Sequence, residues 1–346
     1  MNSYINLYTA CGITAAVAFI LGVILYKIFI PLLRKVKLGQ KILEIGPSWH
    51  KSKEGTPNLG GLFFIIATFI GIAVGIVVLL CQMNSSVNPE PYKANELIPA
   101  FGRMLLPLLF ALSQGLIGFI DDYVKLFKKQ NKGLSATQKL VLQFLTAAVY
   151  LFANFYFFKA DTVIEFPWGK SIDFGIFYYV IMLLVVAYII NCANLTDGID
   201  GLAGSIAFIV STMLLLFGFN CVAVEMALPS AALCGALFAF LVFNFHPAKI
   251  FMGDTGSLFL GGFIVSTLML TSQEFLLLPI SCIWIIEGLS VVIQVISFKL
   301  TGKRVFKMSP IHHHFEKCNW SEVKIVAVFS AVTVIFSILT YYLLTI

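Results

Sequence analysis

Five of the seven aspartates in this 346-residue chain stand at the ends of long apolar runs. Asp121 and Asp122 are adjacent, in Asp121-Asp122-Tyr123, where one such run closes. Asp197 and Asp200 lie in the polar island Asn191-Cys192-Ala193-Asn194-Leu195-Thr196-Asp197-Gly198-Ile199-Asp200-Gly201. Asp254 sits in Phe251-Met252-Gly253-Asp254-Thr255-Gly256-Ser257, where another run opens. Ionisable groups beside runs of membrane-spanning length are costly and point to function by default. A three-residue spacing puts Asp197 and Asp200 on one face of any helical turn, and Gly198 and Gly201 leave room for a ligand against the backbone. Helix N-capping is the structural alternative for Asp197, Asp200 and Asp254. It does not reach Asp121 and Asp122, which fall at the C-terminal end of a helix, where the dipole disfavours anions. A bound cation or a catalytic base accounts for that pair. Hard oxygen donors of this kind suit Mg²⁺, which keeps several waters and takes one or two carboxylates plus substrate phosphates.

Three further stretches carry chemistry. Ser309-Pro310-Ile311-His312-His313-His314-Phe315-Glu316 brings three imidazoles together. In an extended chain His312 and His314 face one way and His313 the other, so the three do not share one ion. Imidazoles contact phosphate or move protons near pH 7; a solvated loop is the plainer alternative. Lys51-Ser52-Lys53-Glu54-Gly55-Thr56-Pro57-Asn58-Leu59-Gly60-Gly61 sets cations beside a Gly-rich turn, a combination that holds phosphate by charge and by backbone N–H groups. Lysines next to a membrane span also serve simply to orient it. Glu287 lies inside an apolar run, with Gln294 seven residues on and on the same helical face. A carboxylate in lipid needs a partner, and an interhelical hydrogen bond is the simpler reading of Glu287.

The elements that must position these groups are membrane helices. The chain is 59% hydrophobic and 12% charged, whereas a soluble chain carries about a quarter charged residues. Ten runs have the length of membrane helices, about 17–25 residues: Ala10–Leu33, Leu59–Cys81, Phe101–Ile120, Leu140–Phe158, Phe174–Ile190, Leu202–Phe219, Leu228–Phe245, a short eighth at Leu258–Leu270, Phe275–Phe298 and Ile325–Thr345. No loop is long enough for a soluble domain, so residues 1–346 form a single polytopic domain. No basic region precedes the first run, which argues against a cleaved signal segment. The seven cysteines show no paired spacing and read as free thiols.

Eighteen of the 23 basic residues fall in the odd-numbered connections, helix-end residues included, and four in the even-numbered ones. The positive-inside rule puts the odd connections in the cytoplasm and both termini outside. The net charge of +6 therefore reports orientation and gives no reason to invoke nucleic acid. All five His and five of the seven Asp then share the cytoplasmic face. The external connections read as ordinary polar turns. The expected fold is an all-α integral membrane protein of ten transmembrane helices with its active site at the cytoplasmic face.

Together these motifs resemble the phospho-N-acetylmuramoyl-pentapeptide transferases, within the superfamily of polyprenyl-phosphate N-acetylhexosamine-1-phosphate transferases. The resemblance runs from the Gly55-Thr56-Pro57 loop to His312–His314. Pro310-Ile311-His312-His313-His314-Phe315-Glu316 is its most specific part, since sister branches space their histidines differently. It implies transfer of phospho-N-acetylmuramoyl-pentapeptide from UDP-N-acetylmuramoyl-pentapeptide to undecaprenyl phosphate, giving lipid I and UMP, in a multi-pass protein of the bacterial plasma membrane. It implies Asp254 as the Mg²⁺ ligand, and Asp121, Asp122 and His312 beside it as catalytic groups. Lys125, Asn194, Asp197, Asp200, Asn244, Phe251 and Gln294 match positions for nucleotide recognition. Lys53, Asn58, His313 and His314 match positions around the phosphates and sugar. The family usually carries Thr where this chain has Asn58, and Arg where it has Thr137. A homodimer is compatible with the sequence.

Phosphoryl transfer of this kind rests on positioning and charge neutralisation. The lipid phosphate is already an anionic oxygen nucleophile, which favours direct attack over a covalent aspartyl intermediate. Transfer of N-acetylglucosamine 1-phosphate is the alternative within the same chemistry. A cation transporter is the alternative outside it, and would need ionisable residues at mid-bilayer on several helices; Glu287 is the one such residue.

Overall fold

A backbone in hydrocarbon must satisfy its own N–H and C=O groups, and a helix does so within one segment. A computed structural model of the chain describes residues 2–35, 53, 55–84, 94–127, 133–166, 168–272 and 274–345. Its long helices follow the apolar runs in order: α1 (Asn2–Lys35), α2 (Gly60–Asn84), α3 (Ala94–Phe127), α4 (Ala136–Phe158), α5 (Ile176–Thr196), α6 (Leu202–Asn220), α7 (Val224–Asn244) and α8 (Gly253–Leu268). After a short α9 (Leu277–Ile280) come α10 (Cys282–Thr301), a second short helix α11 (Ile311–Glu316) and α12 (Glu322–Thr345). Among the described residues, nine of these helices are long and apolar enough to cross a membrane. The eighth run yields α8, whose 16 residues rise only about 24 Å, short of a hydrocarbon core of about 30 Å.

That short helix is the centre of the bundle. Every residue of α8 except Asp254 is buried, and α2, α3 and α5 pack around it. The neighbouring α7 is nearly as enclosed and is rich in small residues. A Cβ at its Gly235 would lie 2.0 Å from the carbonyl oxygen of Ala15; small residues are what let membrane helices approach this closely. The outer helices present Leu145, Val149, Phe152 and Phe157 outward, as lipid-facing surfaces should. All seven cysteines are free.

Three local features differ from the sequence expectation. The run Phe275–Phe298 is not one helix: it breaks at Ser281, whose backbone leaves helical geometry between α9 and α10. Pro279 stands just before the break and removes a backbone donor. The connection after α4 is more than a polar turn. Its β-branched and aromatic residues form a hairpin, β1 (Val163–Phe166) paired antiparallel with β2 (Lys170–Asp173), so among the described residues the fold is all-α apart from this pair. Finally, the histidine stretch is helical, which replaces the extended alternation of His312 to His314 by rotations of about 100° per residue.

The odd-numbered connections meet at one end of the bundle. Lys53 reaches Asp200 and Glu322, Asn58 reaches Asp122, Lys139 reaches Asp254 and His246 reaches Asp200. At the opposite end Phe166 and Trp168 of the hairpin region pack on Phe275, and the buried Glu274 accepts a hydrogen bond from Tyr178 Oη at 2.7 Å. α8 runs from the first end to the second.

Candidate active site

The site begins where α3 meets the start of α8. Asp121 and Asp122 are both buried, and α3 continues to Phe127, so they do not sit in its last turn. The dipole argument against anions there fades with distance, and the pair is explained by its contacts. Asp122 accepts the backbone N–H of Asp254 at 3.2 Å and of Thr255 at 2.9 Å, and the Thr255 hydroxyl at 2.7 Å. These are first-turn amides of α8, which have no partner within their own helix. Asp122 therefore caps α8 from a different helix, and the expectation that capping has no part in this pair is corrected. The approach is close because α3 has Gly118 here: a Cβ at that position would lie 2.1 Å from the Asp254 carbonyl oxygen. Asn58 Nδ2 donates to Asp122 Oδ1 at 3.4 Å.

Asp254 does no capping. The N-cap of α8 is Met252, which makes no side-chain cap bond. Asp254 Oδ1 accepts from Asn194 Nδ2 at 2.9 Å, and Asn194 also donates to Ser257 Oγ. Its Oδ2 faces Lys139 Nζ at 2.5 Å and Lys125 Nζ at 3.0 Å. The same two ammonium groups reach Asp121 Oδ2, at 2.5 Å from Lys125 and 3.1 Å from Lys139, while Asp121 Oδ1 accepts the Leu134 N–H at 2.7 Å. Two cations thus bridge two carboxylates, with a third carboxylate behind. Asp121, Asp122 and Asp254 each offer an oxygen within 4.8 Å of the others. Three hard oxygen donors gathered around a spot already favourable to positive charge fit a small divalent cation such as Mg²⁺.

A second cluster forms alongside. Lys53 Nζ lies 2.7 Å from both Asp200 Oδ1 and Glu322 Oε2. Asp200 Oδ2 takes His246 Nδ1 at 3.1 Å and the Ala248 N–H at 3.0 Å. Neither Asp197 nor Asp200 caps α6, whose N-cap is Gly201 without a side-chain bond. Asp197, the C-cap residue of α5, is partly buried. Burial, then the charges of Asp254, Asp122 and Asp200, push its carboxyl up to about 8.

The remaining expected residues are less open. Asn244 accepts the Gly201 N–H and donates to the Ile250 carbonyl, so its side chain braces two loops. Gln294 is occupied in the same way by the backbone of Val305 and Phe306. Phe251 exchanges backbone hydrogen bonds with Pro57 and Gly60. His312 is fully buried; its Nδ1 lies 3.1 Å from Glu287 Oε1, which gives Glu287 the polar partner expected of it. Its Nε2 packs on Gly198, where a Cβ would come within 2.2 Å. His313 Nδ1 contacts Glu316 Oε2 at 2.5 Å, and His314 Nδ1 accepts the Lys307 N–H at 3.1 Å.

Lys139, Glu322 and His246 are part of these clusters although the sequence reading gave them no role. Lys139 was countable only as an orienting charge. Its signal is a lysine near the start of an apolar helix that opens with a capping box at Ser135 and Gln138, where it contacts both Asp254 and Asp121.

Residues 104–273 match the model of glycosyl transferase family 4. The chain is 41% identical over 331 residues to the phospho-N-acetylmuramoyl-pentapeptide-transferase of Bacillus subtilis (strain 168), covering 95% of this chain and 96% of that one. It is 42% identical to the proteins of that name from Clostridium perfringens (strain 13 / Type A), covering 94% and 96%, and from Clostridium beijerinckii (strain ATCC 51743 / NCIMB 8052), covering 99% of each. At that identity over nearly its whole length, the chain belongs to the phospho-N-acetylmuramoyl-pentapeptide-transferase family.

Proposed function

We infer that this chain transfers phospho-N-acetylmuramoyl-pentapeptide from its UDP-linked donor to undecaprenyl phosphate, giving lipid I and UMP. The observation that carries the reading, beside family membership, is the bridge of Lys125 and Lys139 between Asp121 and Asp254. Such a bridge matches a reaction between phosphates, whose charges need ammonium partners and a divalent cation. The protein acts as one domain over residues 1–346 in the bacterial plasma membrane, as a monomer or a homodimer. It crosses ten times, with α8 as the short eighth span, both termini outside and the site at the cytoplasmic face. There a soluble donor and an embedded acceptor can meet.

Asp254 is the best-placed Mg²⁺ ligand, with Asp121 and Asp122 beside it. When bound, Mg²⁺ offsets the charge that develops on the departing UMP. Lys125 and Lys139 turn to the donor's phosphates, and Asn194 holds Asp254 in orientation. An oxygen of the lipid phosphate attacks the sugar-linked phosphorus, and the bond to the UMP oxygen breaks. Asp121, within reach of both lysines, keeps that nucleophile deprotonated; a phosphate monoester loses its second proton near pH 6, so the task is modest. Asp197, Asp200, Lys53, Asn58, Phe251, His313 and His314 line the donor side, while Asn244, Gln294 and His312 shape its loops. Glu287 is paired with His312, which removes the one mid-span carboxylate that a cation transporter would use.

Purified protein in detergent, given UDP-N-acetylmuramoyl-pentapeptide, undecaprenyl phosphate and Mg²⁺, should release UMP and form a lipid-linked product. Release only from UDP-N-acetylglucosamine would move the chain to the sister chemistry. For topology, an impermeant thiol reagent applied outside intact cells should label cysteines placed near the termini but not one at position 313 in a Cys-free background.

A further inference from the structure

The two acidic clusters are joined by two stretches of chain. One begins at Lys53, in the second cluster, and ends at Asn58, whose amide holds Asp122 in the first. The other begins at Asp200 and runs back to Asn194, whose amide holds Asp254. The second-cluster ends of both stretches converge on a single atom. Glu322 Oε2 lies 2.7 Å from Lys53 Nζ and accepts the Asp200 backbone N–H at 3.0 Å. Lys53 and Asp200 are also paired directly, at 2.7 Å. Glu322 is the first residue of α12, an element with no contact to the Asp121–Asp122–Asp254 cluster in any bond described above.

We propose that Glu322 is a positioning residue of the transfer reaction, setting through Lys53 and Asp200 the spacing at which Asn58 and Asn194 present Asp122 and Asp254. The inference rests on the transferase reading above. It follows from bond order along the two stretches. Lys53 carries one positive charge and faces two carboxylates; losing either leaves it bound to the other, but only Glu322 also holds the Asp200 backbone. The side chains concerned are largely sheltered, at 14% exposure for Lys53, 1% for Asp200 and 12% for Glu322. Charge pairs with that little solvent are screened far less than surface pairs. His246 completes the cluster on its outer side, 3.1 Å from Asp200 and 3.9 Å from Glu322. Among the described residues Glu322 makes no ion pair with Lys125 or Lys139 and is not part of the Asp121–Asp122–Asp254 cluster, so its effect on that cluster travels through the two stretches it pins.

The test is a double-mutant cycle on the full-length protein with Glu322→Gln and Lys53→Met. The glutamine keeps an acceptor for the Asp200 amide but drops one of the two charges that anchor Lys53. Glu322→Gln is expected to lower kcat by about tenfold with donor KM changed by less than about threefold, and Lys53→Met to cost far less in that background than in the wild type, as coupled neighbours do. Activity is read well below each variant's thermal midpoint, so a loss of folded protein does not imitate a loss of positioning. Wild-type turnover by Glu322→Gln would overturn the inference, as would an equal cost of Lys53→Met in both backgrounds. If the wild-type protein itself fails to release UMP from the pentapeptide donor, the transferase reading falls and takes the inference with it.

Discussion

Replacing Asp254 by Asn is the most informative single change. It preserves size and leaves Oδ1 to accept from Asn194 Nδ2. It replaces Oδ2, which faces two ammonium groups at 2.5 and 3.0 Å, by a neutral amide. Both lysines keep Asp121 as partner, so the lost charge falls on the cation the cluster would hold. A unit charge pair at 4 Å is worth about 4 kcal/mol at an effective dielectric of about 20. Part of this is screened, because the Asp254 side chain is 16% exposed; a remainder of about 2.7 kcal/mol corresponds to a hundredfold loss of rate. Because α8 is capped by Asp122 and not by Asp254, the thermal midpoint should hardly move. The assay is UMP release at several Mg²⁺ concentrations, with thermal unfolding in detergent alongside. Turnover within about threefold of wild type at saturating Mg²⁺ would refute the reasoning, since no folding role remains to hide behind.

Three other outcomes follow from the same geometry. Asp122→Ala should destabilise the folded protein by about 1–3 kcal/mol, because it orphans buried amides at the start of α8; thermal unfolding should show the loss even with no substrate present. Asp197, raised to about 8 by burial and neighbouring carboxylates, takes up a proton on folding, so its contribution is full below the unfolded value of about 3.9 and fades as pH rises through about 8. Thermal midpoints in chelator should therefore fall between pH 6 and pH 9, and Asp197→Asn should flatten that fall. With lipid rigorously removed, enzyme, Mg²⁺ and donor should neither release UMP stoichiometrically nor exchange labelled UMP into the donor, since Asp121 and Asp122 are buried and bonded; exchange abolished by Asp121→Asn would overturn direct attack.

Much of this arrangement could be read from residue order, and the unread part has a common cause. Hydropathy locates helices because every backbone group in lipid must be satisfied locally, and the long helices appear where the apolar runs are. Charge sorting places the clusters at one end because each lies in an odd-numbered connection. What the sequence does not encode locally is partnership across helices. Asp122 looks uncappable along its own chain because its amide partners belong to α8, 132 and 133 residues away. Lys139 and Glu322 look like ordinary terminal charges because their meaning lies in Asp254 and Lys53. The break at Ser281 escaped for a different reason: apolarity continues across it, and a hydropathy pattern does not register a proline that ends one helix and lets another begin.

The enclosure of α8 has a consequence for the bilayer around it. A helix in contact with lipid adjusts its tilt when the hydrocarbon is thicker or thinner. α8 is buried at every residue but Asp254, so its height is fixed by protein neighbours alone. Changes in acyl-chain length will be absorbed by the outer helices, such as α4 with its outward Phe152 and Phe157. The depth of Asp254 relative to Asp121 and Lys139 will stay the same, which lets one reaction geometry persist as the composition of the membrane shifts.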